Sequence, residues 1–231
     1  MQIPLPVRLH DDASLASFLA HAGVAASVSE LQRGLAEPPL AAFLHGPAGS
    51  GRTHLLQACA QAAESTGRSF VYLPLAELRE APPGEVLAGL EACALLCLDD
   101  IDAVLGTRGW EEALFHLYNS VMERQGSLLV AARLPPSLLA VTLPDLRSRL
   151  QALLVLPLAL PDDEAMLAAL VLRARGRGIT LDPEVASYIL ARAPRSMGAL
   201  LAVLDQLDAR SLEAGRRLSI PFVREALGWQ A

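Results

Sequence analysis

Between residues 40 and 156 the chain alternates short, continuously apolar runs with longer stretches of helical periodicity. Residues 40–44, 70–73, 95–98, 128–131 and 153–156 carry almost no polar residue. Runs of this length and composition predict strands buried on both faces of a parallel sheet. The stretches 51–64, 110–124 and 144–150 between them read as helices. Such alternation predicts a doubly wound α/β domain. Ahead of the first strand, Leu15, Phe18, Leu19, Val28, Leu31 and Leu35 fall at helical spacing and stop at Glu37-Pro38-Pro39, which predicts a preceding helix. Pro4 and Pro6 forbid a helix in the first ten residues and predict an extended tail, with the folded part beginning near Asp11.

Beyond Pro161 the pattern changes. Helical stretches around 163–175, 183–191, 197–213 and 221–227 follow one another with no strand between them, and predict a small all-helical domain. Asp162, Asp163 and Glu164 read as its first helix start, favoured by the macrodipole. The expected organisation is an extended tail over 1–10, an α/β core over 11–158 and a helical lid over 159–231.

Composition narrows the functional classes. The 231 residues are 52% hydrophobic but only 4% aromatic, so the core is expected to be aliphatic. The net charge is −6 and all 19 basic residues are Arg, with no basic block; the fold as a whole repels a polyphosphate, and direct sequence-specific DNA binding is not expected. Trp110 and the 115–118 aromatics read as helix core rather than a base-stacking platform, because no basic residues interleave with them. Cys59, Cys93 and Cys97 lie in apolar stretches without metal-ligand spacing and read as reduced core cysteines. The longest apolar run, 150–160, is too short to span a bilayer, and the first ten residues lack the pattern of a signal peptide, so the expectation is a cytoplasmic protein with no membrane partner.

The candidate chemistry begins at Gly46, Pro47, Ala48, Gly49, Ser50, Gly51, Arg52 and Thr53, which follow a strand and open a helix. In that setting backbone amides at a helix N-terminus cradle phosphates, glycines permit the tight curve, and the Thr53 hydroxyl is placed to hold Mg²⁺. His54 sits beside the loop, where it can contact phosphate or pack locally. Arg52 stands where this motif carries Lys, and its planar fork does not replace a compact ammonium. Asp99 ends an apolar strand, within reach of the metal's water shell, and Asp100 is placed to orient a water. Alone, a Gly-rich turn and two aspartates are a turn and a helix cap; together they point to a P-loop fold.

The order of phosphate loop, Asp99-Asp100-Ile101-Asp102, the 110–119 helix, Leu134-Pro135-Pro136 and the 143–150 segment resembles the DnaA branch of AAA+ ATPases over nearly the whole chain. Within that branch, Leu204-Asp205-Gln206-Leu207-Asp208 and the 218–225 stretch are similar to the Hda family of DnaA regulatory inactivators. The sequence stops after the lid, where DnaA carries a helix-turn-helix domain, so a partner is expected to supply DNA specificity. The resemblance implies binding to the DNA-loaded sliding clamp, the β subunit of DNA polymerase III, and promotion of hydrolysis of DnaA-bound ATP. Gln2, Ile3, Pro4, Leu5, Pro6 and Val7 are similar to the family's clamp-binding hexapeptide, and Arg149 sits at its arginine-finger position, with Arg147 beside it.

Three positions depart from the branch. Arg52 replaces the loop Lys, Arg133 stands where relatives carry Asp, and Gly198 falls where they carry the lid's phosphate-sensing Arg, with Arg195 nearby. All three serve the γ-phosphate, so the expected resident ligand is ADP, with Mg²⁺ if nucleotide is bound, and no ATPase activity of its own is expected. A homodimer or homo-oligomer formed through the nucleotide site is also open. The rival readings are a self-sufficient ATPase of the helicase- or clamp-loader type, and a clamp adaptor that stimulates nothing.

Overall fold

A computed structural model describes residues 13–229. Its contacts divide the chain into two compact units, with the boundary between Leu160 and Pro161. In the first, a 3-10 turn at Leu15–Ser17 precedes helix α1 (Ala25–Ala36), strand β1 (Ala41–His45), helix α2 (Arg52–Ser65) and strand β2 (Phe70–Pro74). Two short helical turns, α3 (Leu75–Leu78) and α4 (Pro83–Val86), lead to strand β3 (Leu95–Asp99) and helix α5 (Arg108–Glu123). Strand β4 (Ser127–Ala132), helix α6 (Pro144–Gln151) and strand β5 (Leu154–Pro157) complete it.

The five strands are all parallel, in the order β2-β3-β4-β1-β5. Because successive side chains alternate across the sheet, each apolar run feeds two cores. Phe43, Leu96, Leu98 and Val130 face a cluster with Trp110, Leu114, Leu117, Val121, Leu146 and Leu150 of α5 and α6. Ala42, Leu44, Leu95, Cys97 and Leu129 face Val28 and Leu31 of α1 and Leu55, Leu56 and Cys59 of α2. Cys59 and Cys97 are free thiols in this second core, and burial pushes the Cys59 thiol up to about 12.

The helix expected before the first strand is shorter than its apolar pattern suggested. Leu15 opens the 3-10 turn, Phe18 caps its end in an extended conformation, and α1 starts only at Ala25. In the interruption, Gly23 passes close to the β5 exit, where a Cβ would lie 2.9 Å from Ala159 Cβ. The apolar spacing of Leu15 and Phe18 instead reflects packing of an irregular segment against the second core.

The second unit consists of α7 (Asp163–Gly176), α8 (Pro183–Arg192), α9 (Met197–Ala214) and α10 (Ile220–Leu227) around an apolar core that includes Leu170, Ile189, Leu200, Leu204 and Val223. Asp162 caps α7, accepting from the Ala165 amide at 2.8 Å, the role expected of the acidic set.

Candidate functional site

The parallel order brings the carboxyl ends of β1, β3 and β4 together, with His45 opposite Ala132 and Leu98 opposite Val130. Ligands in such sheets bind outside this edge. The Gly46–Thr53 loop leaves β1 there, and Asp99 ends β3 at the same edge. A Cβ on Gly46 would sit 2.2 Å from the Leu158 carbonyl oxygen, so only glycine permits the approach. Gly51, the N-cap of α2, has φ +92 and supplies no side-chain cap. The first amides of α2 have no acceptor within their own helix and point outward from its N-terminus.

Two polar groups in this cradle have no hydrogen-bond partner among the described residues: Ser50 Oγ and Arg52 Nη1. Both residues are buried, Arg52 at 8% exposure. A buried donor without an acceptor is costly, and an anion with several oxygens is the ligand that would satisfy both. The loop therefore fits a phosphate group. For a metal the fit is narrower. No group of three His, Cys, Asp or Glu among the described residues could hold one. Thr53 is exposed, so Mg²⁺ here would rest on Thr53, phosphate oxygens and water.

The acids at the edge are engaged with neighbours. Asp99, 2% exposed, accepts from the Tyr72 hydroxyl at 2.8 Å and, through its other oxygen, from the Asp100 amide at 3.0 Å. Burial, reinforced by the Asp99 carboxylate, pushes the Tyr72 hydroxyl well above the ordinary tyrosine range, so it is a fixed donor. Asp100 adopts φ 49 and places Oδ1 3.2 Å from Arg52 Nη2. Burial and the neighbouring Asp99 raise the Asp100 carboxyl above its usual range, with Arg52 opposing them. Asp102 lies 3.8 Å from Arg133 Nε. The residue in the loop's lysine position is thus paired with the acid read as the water-orienting group.

His54 faces the other way. Its Nε2 is 3.2 Å from the Ser14 carbonyl oxygen and 3.4 Å from Ser17 Oγ, and its ring packs 5.4 Å from that of Phe18. Phe18 also lies against Gly51, where a Cβ would meet its ring at 2.6 Å. These contacts pin the chain ahead of α1 onto the loop and the first turn of α2. Residues 2–7 lie outside the described residues.

Helix α6 presents the second candidate group. Leu146 and Leu150, both at most 2% exposed, bury one face of the helix. Arg147 and Arg149 fall on the other, and both are exposed. They are not equivalent. Arg147 donates through Nη2 to the Val141 carbonyl, back onto the loop that leads into the helix. The Arg149 guanidinium lies 5.9 Å from the centroid of the Tyr118 ring on α5, and no carboxylate among the described residues is within ion-pair distance of it.

Two contributors could not be found from the sequence. Tyr72 meets its partner across two strands, and Glu111 meets Thr142 and Leu143 across a gap of thirty-odd residues. Nothing in their local sequence announces either contact; a tyrosine in an apolar strand and a glutamate in a helix's first turn have commoner uses. In the lid, Arg195 pairs with Asp163 at 3.2 Å. A Cβ on Gly198 would meet nothing within 4 Å.

A five-stranded parallel sheet in this order, with a glycine-rich loop opening a helix after β1, an acidic β3 end and a helical second unit, defines an AAA+ P-loop protein. The model of the bacterial DnaA ATPase domain matches residues 16–157, and that of the Hda lid domain matches residues 162–227. The chain belongs to the DnaA-related AAA+ family, and its second unit is of the Hda lid type. Domain III of the replication initiation protein DnaA from Thermotoga maritima is similar in structure, with TM-score 0.80 and 20% identity over 96% of this chain and 98% of that one. AMPPCP-bound DnaA from Aquifex aeolicus gives TM-score 0.74 and 20% identity over 90% of this chain and 68% of that one. The Thermotoga maritima RuvB Holliday junction branch migration motor gives TM-score 0.66 and 19% identity over 94% and 71%. Among the described residues no helix is long and apolar enough to cross a membrane.

Proposed function

We propose that this chain is a regulator of replication initiation that acts on DnaA. It docks on the DNA-loaded sliding clamp through Gln2, Ile3, Pro4, Leu5, Pro6 and Val7 and offers Arg149 to ATP held in DnaA's site. The guanidinium stabilises charge developing on the transferred phosphoryl group, hydrolysis is promoted, and DnaA is inactivated. The observation that carries this reading is Arg149 itself: exposed on a packed helix, beside an aromatic ring and free of a carboxylate partner among the described residues.

The chain's own loop binds ADP, with Thr53 available to Mg²⁺ and the buried Asp99 set behind it, its oxygens held by Tyr72 and the Asp100 amide, and does not turn over ATP. Support comes from the Arg52–Asp100 pair, which sets a bulky cation against the acid that would have to orient a water. The protein acts in the cytoplasm, where its partners are. The test is hydrolysis of DnaA-bound ATP in the presence of DNA-loaded clamp, with wild type, a deletion of residues 1–7 and Arg149→Ala. Stimulation by wild type that both variants lose is the expected result. No stimulation by wild type leaves a clamp adaptor, and turnover by the chain alone restores the self-sufficient ATPase.

A further inference from the structure

Glu111 is the most deeply buried carboxylate among the described residues of the first unit, at 0% exposure, and no cation among them pairs with it. It stands in the first turn of α5 and gathers donors from two separate segments. Oε1 accepts from the Gly106 amide at 2.8 Å and the Thr142 amide at 2.9 Å. Oε2 accepts from the Leu143 amide at 2.6 Å and from the Thr142 hydroxyl. Burial alone would raise this carboxyl, but the hydrogen bonds from Thr142, Gly106 and Leu143 outweigh it and hold Glu111 below the ordinary glutamate range.

The two amides at Thr142 and Leu143 matter because they lead directly into α6. Leu143 is the N-cap of that helix and has no side-chain cap of its own, and Pro144 opens the helix. Glu111 therefore holds from α5 the amides at and just before the N-cap, as the Glu of a capping box holds the N-cap amide, and it adds negative charge at the positive end of the α6 dipole. Further along, α6 packs on the same α5, and Leu146 and Leu150 lie in one buried apolar cluster with its Leu114 and Leu117. The Arg149 guanidinium then rests against Tyr118, again on α5. The height and rotation of α6 are thus referred to one helix at three levels: a carboxylate, an apolar seam and a ring.

We propose that Glu111 is a positioning residue for Arg149: by anchoring Thr142 and Leu143 it fixes the entry of α6, and with it the place of the guanidinium in a partner's site. This rests on the reading of Arg149 as a finger in trans. An arginine acting on a transferring phosphoryl group must arrive in geometry, and displacement of about 1 Å by a remote change can cost about 10²-fold in rate. Gln cannot substitute, because both Glu111 oxygens face only N–H or O–H donors; either orientation of the amide turns its NH₂ against Gly106 N–H or Leu143 N–H.

The experiment is stimulation of hydrolysis of DnaA-bound ATP on DNA-loaded clamp, measured as maximal rate and as the concentration of this chain giving half of it. Wild type, Glu111→Gln, Thr142→Val, Arg149→Ala and the Glu111→Gln/Arg149→Ala double variant are compared, well below each variant's melting temperature. Glu111→Gln is expected to lower the maximal rate about 10–100-fold with an unchanged half-maximal concentration, and to add nothing once Arg149 is gone. Thr142→Val, which removes one donor and keeps both amides, is expected to lower the rate several-fold and carries the test should Glu111→Gln not fold. Full stimulation by Arg149→Ala defeats the finger reading and this proposal with it. Loss in Arg149→Ala beside wild-type rates in Glu111→Gln or Thr142→Val overturns the positioning role alone. So does a raised half-maximal concentration at an unchanged maximal rate.

Discussion

Arg52 and Arg149 stand on the same α/β unit and meet opposite surroundings. Arg52 is drawn into the carboxyl edge of the sheet, 8% exposed, with one nitrogen on Asp100 and another facing a cradle with no partner among the described residues. Arg149 is held out on α6 by apolar anchors below it, with the Tyr118 ring beside it. The two acids nearest these regions differ in the same sense. Asp100 is raised, chiefly by burial, and sits in a left-handed backbone. Glu111 is lowered by hydrogen bonds from Thr142, Gly106 and Leu143. A guanidinium to be used by another molecule must not already be neutralised at home, whereas one that fills its own site can be. The loop arginine is turned inward and the helix arginine outward, which is the arrangement the proposed trans-acting role requires.

The sharpest way to break this contrast is to remove the outward arginine. Arg149→Ala should cost about 10³-fold or more in stimulated hydrolysis of DnaA-bound ATP, the usual range for an arginine finger, while Arg147→Ala costs far less because its guanidinium is bonded to its own loop. If the two variants fall equally, the distinction between them is wrong. Removing the inward arginine should be read by calorimetry. Arg52→Ala should weaken ADP about 10–100-fold, the worth of one or two charged hydrogen bonds to phosphate, and leave stimulation of DnaA largely intact. An unchanged ADP affinity would mean that Arg52 serves Asp100 alone.

The acids allow the contrast to be tested without any partner. Glu111→Gln should lower the melting temperature at neutral pH by about 3–10 °C, since it leaves buried donors facing an NH₂ group. The gap should depend on pH with a definite sign. A carboxyl whose folded value is lowered contributes stability that is complete above its ordinary value, 4.5, and is lost as pH falls through the folded value. Wild type and Glu111→Gln should therefore converge in acid. Asp100 works the other way: being raised, it favours the folded state most below its ordinary value of 3.8 and less as pH climbs through the raised one. Asp100→Asn should accordingly show no convergence in acid of the kind that marks Glu111.

How much of the molecule is legible in the sequence depends on the range of the interactions. Continuous apolar runs at 40–44, 95–98 and 128–131 mark β1, β3 and β4 because a strand buried on both faces needs nothing but local composition. The loop after β1 is legible for the same reason, as glycine spacing is a local demand of the backbone. Leu15 and Phe18 mislead because helical spacing cannot tell a helix from an irregular segment whose apolar side chains pack on the second core. The turns α3 and α4 escape notice, each being one turn long and without periodicity. Arg52 can be recognised as out of place, but not that Asp100 takes it up. Tyr72 on Asp99 and Glu111 on Thr142 are contacts between distant segments, and only the folded chain brings them together.

The smallest expected effect is also the finest test of how Arg149 is held. A guanidinium near the face of an exposed or half-buried aromatic ring gains roughly 0.5–1 kcal/mol, or about two- to fivefold in the population of that arrangement. Tyr118→Leu keeps an apolar contact with the core of α5 and α6 and removes the ring, so it should lower maximal stimulation by about two- to fivefold without moving the melting temperature by more than about a degree or two. Tyr118→Phe keeps the ring face and should retain most of the activity. The order of the pair matters more than either value. If Phe and Leu are equally impaired, the hydroxyl contributes through the partner instead, and Tyr118 belongs to the contact surface. If neither is impaired, the guanidinium needs no ring to find its place, and the anchoring of α6 by Glu111, Leu146 and Leu150 is sufficient to present it.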